Sequence, residues 1–355
     1  MQRVFDGHND VLLRLWENAR KGEDPIREFI DGTDSGHIDL PPRSRKGGLA
    51  GGICAIYVPS GEHIELGKPD ANGHYETPPL SPPLERSPPS LDIALDMAAI
   101  ALKLEAAGGW KLCRNGRDLD ETLDSDTFTA VLHMEGCEAI DEDLAALEVF
   151  YAAGLRSLGP VWSRNNIFAH GVPFAYPMSP DTGPGLTDTG KRLVKACNAK
   201  GILIDLAHIT EKGFWDVAKL SDQPLVASHS NAHALTPVAR NLTDRQLDAI
   251  RESKGLAGLN YATTMLRADA KEDANTPLSD VVRHVDYMVE RMGIDCVALG
   301  SDYDGATIPA EIGDAAGTQN LVAALRKAGY GEEELAKICR GNWIRVLKQA
   351  WHEAA

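Results

Sequence analysis

Short apolar, β-branched runs recur along this chain, each followed by turn residues and then by a stretch of helical periodicity. That alternation constrains the fold more than any other feature. Eight such runs stand out, at residues 4–7, 49–58, 128–135, 155–162, 202–208, 225–230, 256–261 and 296–302. Helical patterns fall between and after them, at 91–107, 144–153, 190–199, 244–253 and 278–292, with two more at 321–327 and 332–351. Parallel strands need a crossover segment between them, usually a helix. Eight βα units therefore predict a TIM (β/α)8 barrel closed by C-terminal helices, a single domain over residues 1–355. Two local details support the helix at 244–253. Thr243 and Gln246 have the spacing of a capping box, and Gly255 after Lys254 suits a left-handed helix end.

Composition narrows the class. With 43% hydrophobic residues in 355, the chain can bury a large core, which excludes disorder for its bulk. A net charge of −16 argues against nucleic acid, whose phosphates call for clustered Lys and Arg. No apolar run reaches the length of a membrane span, and Met1 to Asp6 lacks the apolar region of a signal peptide, so a cytoplasmic protein is expected. Six cysteines without a C-x-x-C spacing read as reduced, buried thiols. Seven prolines within residues 69–89 predict a long loop after the second strand.

The strand ends carry the chemistry. The first run closes in Asp6-Gly7-His8-Asn9-Asp10, where residues two apart in an extended segment point the same way. Taken alone, Asp10 reads equally as a helix cap and His8 as a turn residue. Four more runs end in potential ligands: His133-Met134-Glu135, Asp205-Leu206-Ala207-His208, Ser228-His229 and Gly300-Ser301-Asp302. In a (β/α)8 barrel the C-terminal strand ends form one rim around the active site, so residues distant in sequence become neighbours.

His8, Asp10, Glu135, His208 and His229 offer nitrogen and oxygen donors without Cys, which suits Zn²⁺, with Mn²⁺, Fe²⁺ or Co²⁺ as substitutes. Five protein ligands exceed what one catalytic zinc takes, so two ions are the simpler reading. His8 and Asp10 would hold one, His208 and His229 the other, and Glu135 would bridge them. Two cations would deprotonate a water between them and polarise the carbonyl that it attacks. His133, His233 and Asp304 lie near these ligands and are read as hydrogen-bond partners of them. Asp302 is placed to act as general base and then as acid toward a leaving amine, or else is itself a ligand. Arg240, on the loop after the sixth strand, suits a substrate carboxylate held by two parallel hydrogen bonds, although taken by itself a loop arginine reads more readily as a surface charge.

With these residues quoted, the chain resembles the membrane (renal) dipeptidase family of the amidohydrolase superfamily. The resemblance rests on Asp6-Gly7-His8-Asn9-Asp10, His37-Ile38-Asp39-Leu40-Pro41, Lys46-Gly47-Gly48, His133-Met134-Glu135-Gly136, Asp205-Leu206-Ala207-His208, Ser228-His229-Ser230, Ala239-Arg240-Asn241 and Gly300-Ser301-Asp302-Tyr303-Asp304-Gly305, in that order. It implies a (β/α)8 barrel with a binuclear zinc site, two Zn²⁺ per chain, on His8, Asp10, Glu135, His208 and His229. It further implies that Arg240 holds the C-terminal carboxylate of a dipeptide, that Asp302 shuttles the proton, that L,L- and L,D-dipeptides are both substrates, and that the protein is a homodimer.

One departure stands out. After the fourth strand the family carries a histidine that contacts the scissile carbonyl or its oxyanion, and here the register places Trp162. An indole N–H donates one hydrogen bond and carries no charge. Oxyanion stabilisation then falls to the metals or to Arg164, Asn165, Asn166 or His170. Trp162, Asn165 and Tyr261 join Arg240 as substrate-binding candidates. The secretory signal and lipid anchor of mammalian relatives are not evident, so no membrane partner is expected. Two alternatives stay open, a binuclear hydrolase of another amide, lactam or N-acyl amino acid, and a catalytically silent metal-binding scaffold.

Overall fold

The computed structural model describes residues 1–59 and 88–352. Within them run nine strands: β1 (Val4–Asn9), β2 (Leu49–Tyr57), β3 (Trp110–Leu112), β4 (Phe128–Glu135), β5 (Leu155–Gly159), β6 (Leu203–Ile204), β7 (Val226–Ala227), β8 (Leu256–Leu259) and β9 (Val297–Leu299). One sheet has the order β1-β2-β4-β5-β6 with β3 on β4, and a second has the order β7-β8-β9, with every pairing parallel. Single parallel bridges join the two, Asp205 with Val226 at one seam and Asn9 with Tyr303 at the other. The Leu206 N–H donates to the Val226 carbonyl at 2.8 Å, and the Asp302 N–H donates to the His8 carbonyl at 3.0 Å. The result is a mixed α/β fold with a curled parallel sheet, consistent with a TIM-like barrel.

The inside of the curl is apolar. One buried cluster takes Phe5 from β1, Ile53 from β2, Val131 from β4, Leu203 from β6, Val226 from β7, Leu256 from β8 and Ala298 from β9. Trp343, Val346 and Leu347 of the helix Asn342–Ala350 pack against the same cluster. The Trp343 indole donates to the Leu299 carbonyl at 2.8 Å, which seats this helix on the curl. The continuous helix expected over 332–351 is instead broken into Glu332–Ala336, a wide π turn Lys337–Gly341, and Asn342–Ala350. The wide turn places Asn342 where its amide donates to the Ile294 and Val297 carbonyls, both at 2.8 Å.

Other expectations are also adjusted. β3 escapes the sequence pattern because three residues carry no period, and it pairs only with the start of β4. The later strands are shorter than expected, because the chain leaves the extended region where the candidate ligands begin. His208 has φ 65° and Asp302 has φ 61°. At the end of the helix Asp244–Glu252, Lys254 rather than Gly255 takes the left-handed conformation, at φ 56°. Gly255 is required for a different reason, since a Cβ there would collide with the Leu225 carbonyl. The Gln246 side chain does accept from the Thr243 N–H at 2.8 Å, as a capping box requires. Most of the proline-rich loop lies outside the described residues, and its last two prolines open the helix Pro88–Ala106. All six cysteines are free and buried. Among the described residues no helix is long and apolar enough to cross a membrane.

Candidate active site

The candidate site is built at the ends of β1, β4, β6, β7 and β9. On β4 the pleat sends alternate residues to one face, so Val131 lies in the inner cluster and His133 and Glu135 follow on that side. On β1, the Asp6 carboxylate accepts from the Ser301 N–H at 2.7 Å and the Ser301 hydroxyl at 2.8 Å, tying β1 to the segment after β9. His8 and Asp10 then project together. Asp10 occupies the cap position of the helix Val11–Arg20 but makes no side-chain cap bond, so its carboxylate is left for the cavity.

Glu135 is the hub. Its Oε1 lies 3.6 Å from His8 Nε2, 3.0 Å from His208 Nε2 and 3.5 Å from His229 Nε2. His8 Nε2 is also 3.6 Å from Asp10 Oδ2, and the His8 ring stacks on His229 with centroids 3.8 Å apart. All five side chains are buried. Both ring nitrogens of His8 and Oδ1 of Asp10 are buried without a hydrogen-bond partner, and leaving such groups unsatisfied costs roughly 1–3 kcal/mol each. Two imidazole nitrogens, His208 Nε2 and His229 Nε2, face each other at 3.0 Å. Imidazole and carboxylate donors converging in this way, with unspent lone pairs, fit divalent cations of the zinc type. Four overlapping ligand groups are present among the described residues: His8 with Asp10 and Glu135, Glu135 with His208 and His229, His8 with His229 and Asp302, and His8 with His133 and Asp205.

Electrostatics divide the three imidazoles of that donor set, holding a proton on His8 and keeping His208 and His229 neutral. Burial opposes charge on His8, yet the carboxylates of Glu135, Asp10 and Asp302 outweigh it and raise its pKa to about 10. Burial, reinforced by Arg240 and neighbouring imidazoles, pushes His208 and His229 well below the usual histidine range, which keeps them neutral as metal ligation requires. Burial also raises Glu135 and Asp10, an effect that a bound cation would oppose.

Asp10, Glu135 and His208 of this cluster line a cavity of about 710 Å³, together with Arg240 and Asp302. Asp302 Oδ2 accepts from the Asn260 amide at 2.9 Å. Arg240 is buried, donates to the His229 carbonyl at 3.2 Å and to the Ser230 hydroxyl at 3.3 Å, and leaves its Nε without a partner. It is therefore no surface charge, and burial lowers its pKa to about 10 against the pull of Asp302 and Glu135. Trp162 also lines the cavity, its ring 5.3 Å from Phe174, 5.2 Å from Tyr57 and 5.6 Å from His208.

Other expected residues are not brought to the cavity. Asn165 is exposed and accepts from the Gly171 N–H at 3.1 Å, since the turn after β5 directs it outward. Tyr261 is buried edge-on to Tyr303 and is absent from the cavity lining. Arg164 pairs with Glu138, Asn166 donates to the Pro160 carbonyl at 2.8 Å, and His170 contacts the Gly185 carbonyl at 3.0 Å, and none of the three lines the cavity. His133 bonds Ser157 at 2.9 Å rather than a candidate ligand, His233 bonds the Met178 carbonyl at 3.0 Å, and Asp304 is held by Arg14 and His37. The residues that do contact the candidate ligands through Nδ1 are Ser163, 2.8 Å from His208, and Ser228, 2.7 Å from His229. Ser228 stands directly before a candidate ligand in a motif already quoted, whereas Asn260, Tyr57 and Phe174 carry no signal in the sequence. Gly305 has a geometric reason, because a Cβ there would collide with Asp10 Oδ2 and Asp302 Oδ1.

A curled parallel sheet with imidazoles and carboxylates gathered at its strand ends defines a class, the metal-dependent hydrolases. The chain belongs to the membrane dipeptidase family, peptidase family M19, whose family model matches residues 1–355. It is accordingly an enzyme of the metallo-dipeptidase type. Among similar solved structures, a dipeptidase designated AC, a metallo peptidase of family M19, shares 48% identity at a TM-score of 0.92 over 99% of both chains. A metallo peptidase from Rhodobacter sphaeroides, solved with a phosphinate mimic of the dipeptide L-Ala-D-Ala, shares 47% identity at a TM-score of 0.91 over 99% of both chains. An uncharacterised protein in the pqqA 5′ region of Klebsiella pneumoniae is 48% identical over 265 residues, 74% of this chain and 98% of that protein.

Proposed function

We propose that the protein is a zinc-dependent dipeptidase with two cations per chain, one on His8 and Asp10, the other on His208 and His229, and Glu135 shared between them. The observation that carries this reading is the approach of three imidazoles to one oxygen of Glu135, which lines a cavity together with Arg240 and Asp302. When bound, the cations would lower the pKa of the attacking water and polarise the scissile carbonyl.

The chain's own residues do the rest. Arg240, buried and with Nε unspent, binds the C-terminal carboxylate of the dipeptide and fixes which bond lies over the cluster. Asp302, oriented by the Asn260 amide on Oδ2, takes a proton from the attacking water and returns it to the leaving amine nitrogen. Trp162, Tyr57 and Phe174 wall off one side and exclude bulk water. We read the strands as a closed (β/α)8 barrel in one domain, acting in the cytoplasm on free dipeptides, as a homodimer and without nucleic-acid or membrane partners. The likeness to a relative solved with an L-Ala-D-Ala mimic supports including L,D-dipeptides among the substrates.

The test is hydrolysis of a library of L,L- and L,D-dipeptides by zinc-reconstituted protein, with bound metal counted by elemental analysis. Turnover of dipeptides with about two zinc per chain is expected. A marked preference for N-acyl amino acids or lactams would replace this reading with the hydrolase of another amide, which the indole of Trp162 on the cavity wall favours. A metal-loaded protein inert to both panels would indicate a silent scaffold.

A further inference from the structure

Asp205 has no place in the reading above, yet it is buried at the seam between β6 and β7 and its carboxylate is fully engaged. Its Oδ1 accepts from the Ala207 N–H at 3.0 Å and the Ser228 N–H at 2.7 Å. Its Oδ2 accepts from the Ser228 hydroxyl at 2.5 Å. Three donors on one carboxylate make it an acceptor only, so the single hydroxyl proton of Ser228 is committed to Asp205. The Ser228 oxygen, 2.7 Å from His229 Nδ1, then has only lone pairs to offer the ring. A neutral imidazole answers by carrying its proton on Nδ1, which leaves the Nε2 lone pair directed at Glu135 and His208.

We propose that Asp205 is a positioning residue that acts through the Ser228 hydroxyl to hold His229 in the one tautomer able to ligate a cation through Nε2. The inference rests on the metal-dependent reading for its use but not for its geometry. His208 differs, for the Ser163 hydroxyl at its Nδ1 has no carboxylate bond behind it among those described. Hydrogen bonds behind a ligating histidine typically change metal affinity by about 10- to 100-fold when removed.

The arrangement makes an unusual prediction for Asp205→Asn. The two backbone donors on Oδ1 will keep the amide oxygen there and place the amide NH₂ where Oδ2 was, facing Ser228. The amide then donates to Ser228, whose proton turns to His229 Nδ1 and forces the proton onto Nε2, the wrong tautomer. Asp205→Asn is therefore expected to lower zinc affinity at one position by about 100-fold, and Ser228→Ala by about 10-fold. The double variant Asp205→Asn/Ser228→Ala should recover toward the Ser228→Ala value, and Ser228→Thr, which keeps the hydroxyl, should stay near the parent.

Zinc affinity is read by competition with a chromophoric chelator, and the tautomer by nitrogen-15 NMR of histidine-labelled, zinc-free protein, with circular dichroism as the check on folding. A parent protein carrying its His229 proton on Nε2 would overturn the proposal whatever the enzyme's substrate is. So would a double variant no better than Asp205→Asn alone, because a merely structural Asp205 gives no such recovery. If the parent binds no zinc, the proposed function fails, and the NMR signal still decides the tautomer.

Discussion

Asp302 leaves the sheet in a left-handed backbone conformation, at φ 61°, with one carboxylate oxygen bonded to Asn260. Replacing it by Asn preserves shape and removes the basic oxygen. Asp302→Asn is expected to keep both metals while kcat falls by about 10²–10⁴-fold, measured by steady-state assay beside metal analysis. Arg240→Ala is expected to act mainly on KM, and only for substrates with a free C-terminal carboxylate, so amidated dipeptides should separate the two effects. A third residue governs pH. His284 is buried, its Nδ1 accepts from the Ala232 N–H at 3.2 Å, and burial lowers its pKa to about 4. Because the folded value lies below that of the unfolded chain, its contribution is fully present above about pH 6.5 and is lost as pH falls toward 4, at up to about 1.4 kcal/mol per pH unit. Urea midpoints between pH 4 and 7 should fall less steeply with acid in His284→Gln than in the parent, by up to this slope, because the other buried histidines contribute in the same direction in both proteins. At this scale His8, Asp10, Glu135, His208 and His229 were legible because each closes an apolar run. Asn165 and Tyr261 were misplaced because sequence carries no record of which way a side chain points once a strand has ended.

Elements with a period were readable and those without were not. The helix Leu278–Met292 falls where its apolar spacing places it, with Val281, Val285, Met288 and Met292 buried on one face. The three residues of β3 and the π turn at Lys337–Gly341 leave no such trace, since each depends on a neighbour: β4 in one case, the carbonyls that Asn342 must reach in the other. That turn aims Trp343 into the inner cluster, where it is fully buried. Trp343→Ala is expected to cost about 3–5 kcal/mol of stability, read as a lower urea midpoint.

At the scale of the whole molecule, the alternation of strands and helices was enough to anticipate a curled parallel sheet, and its seams were beyond reach because a single bridge has no sequence pattern. Metal loading should follow pH, since the proton held on His8 up to about 10 must leave for a cation to bind. Competition titrations should therefore give tighter zinc binding at pH 8 than at pH 6.5. Zinc at 100 times its dissociation constant should add about 2.7 kcal/mol to stability, seen as a rise in Tm that the chelator reverses.

The candidate ligands are divided between the two sheets: His8 and Glu135 lie on β1 and β4 of the first, Asp10 and His208 follow its β1 and β6, and His229 follows β7 of the second, across a join one backbone bridge wide. Ions gripped from both sides would work as rivets, and stripping them should loosen the molecule along that line before anywhere else. A cell starved of the metal would then hold fewer copies of this protein, cleared by its proteases, and not simply idle ones.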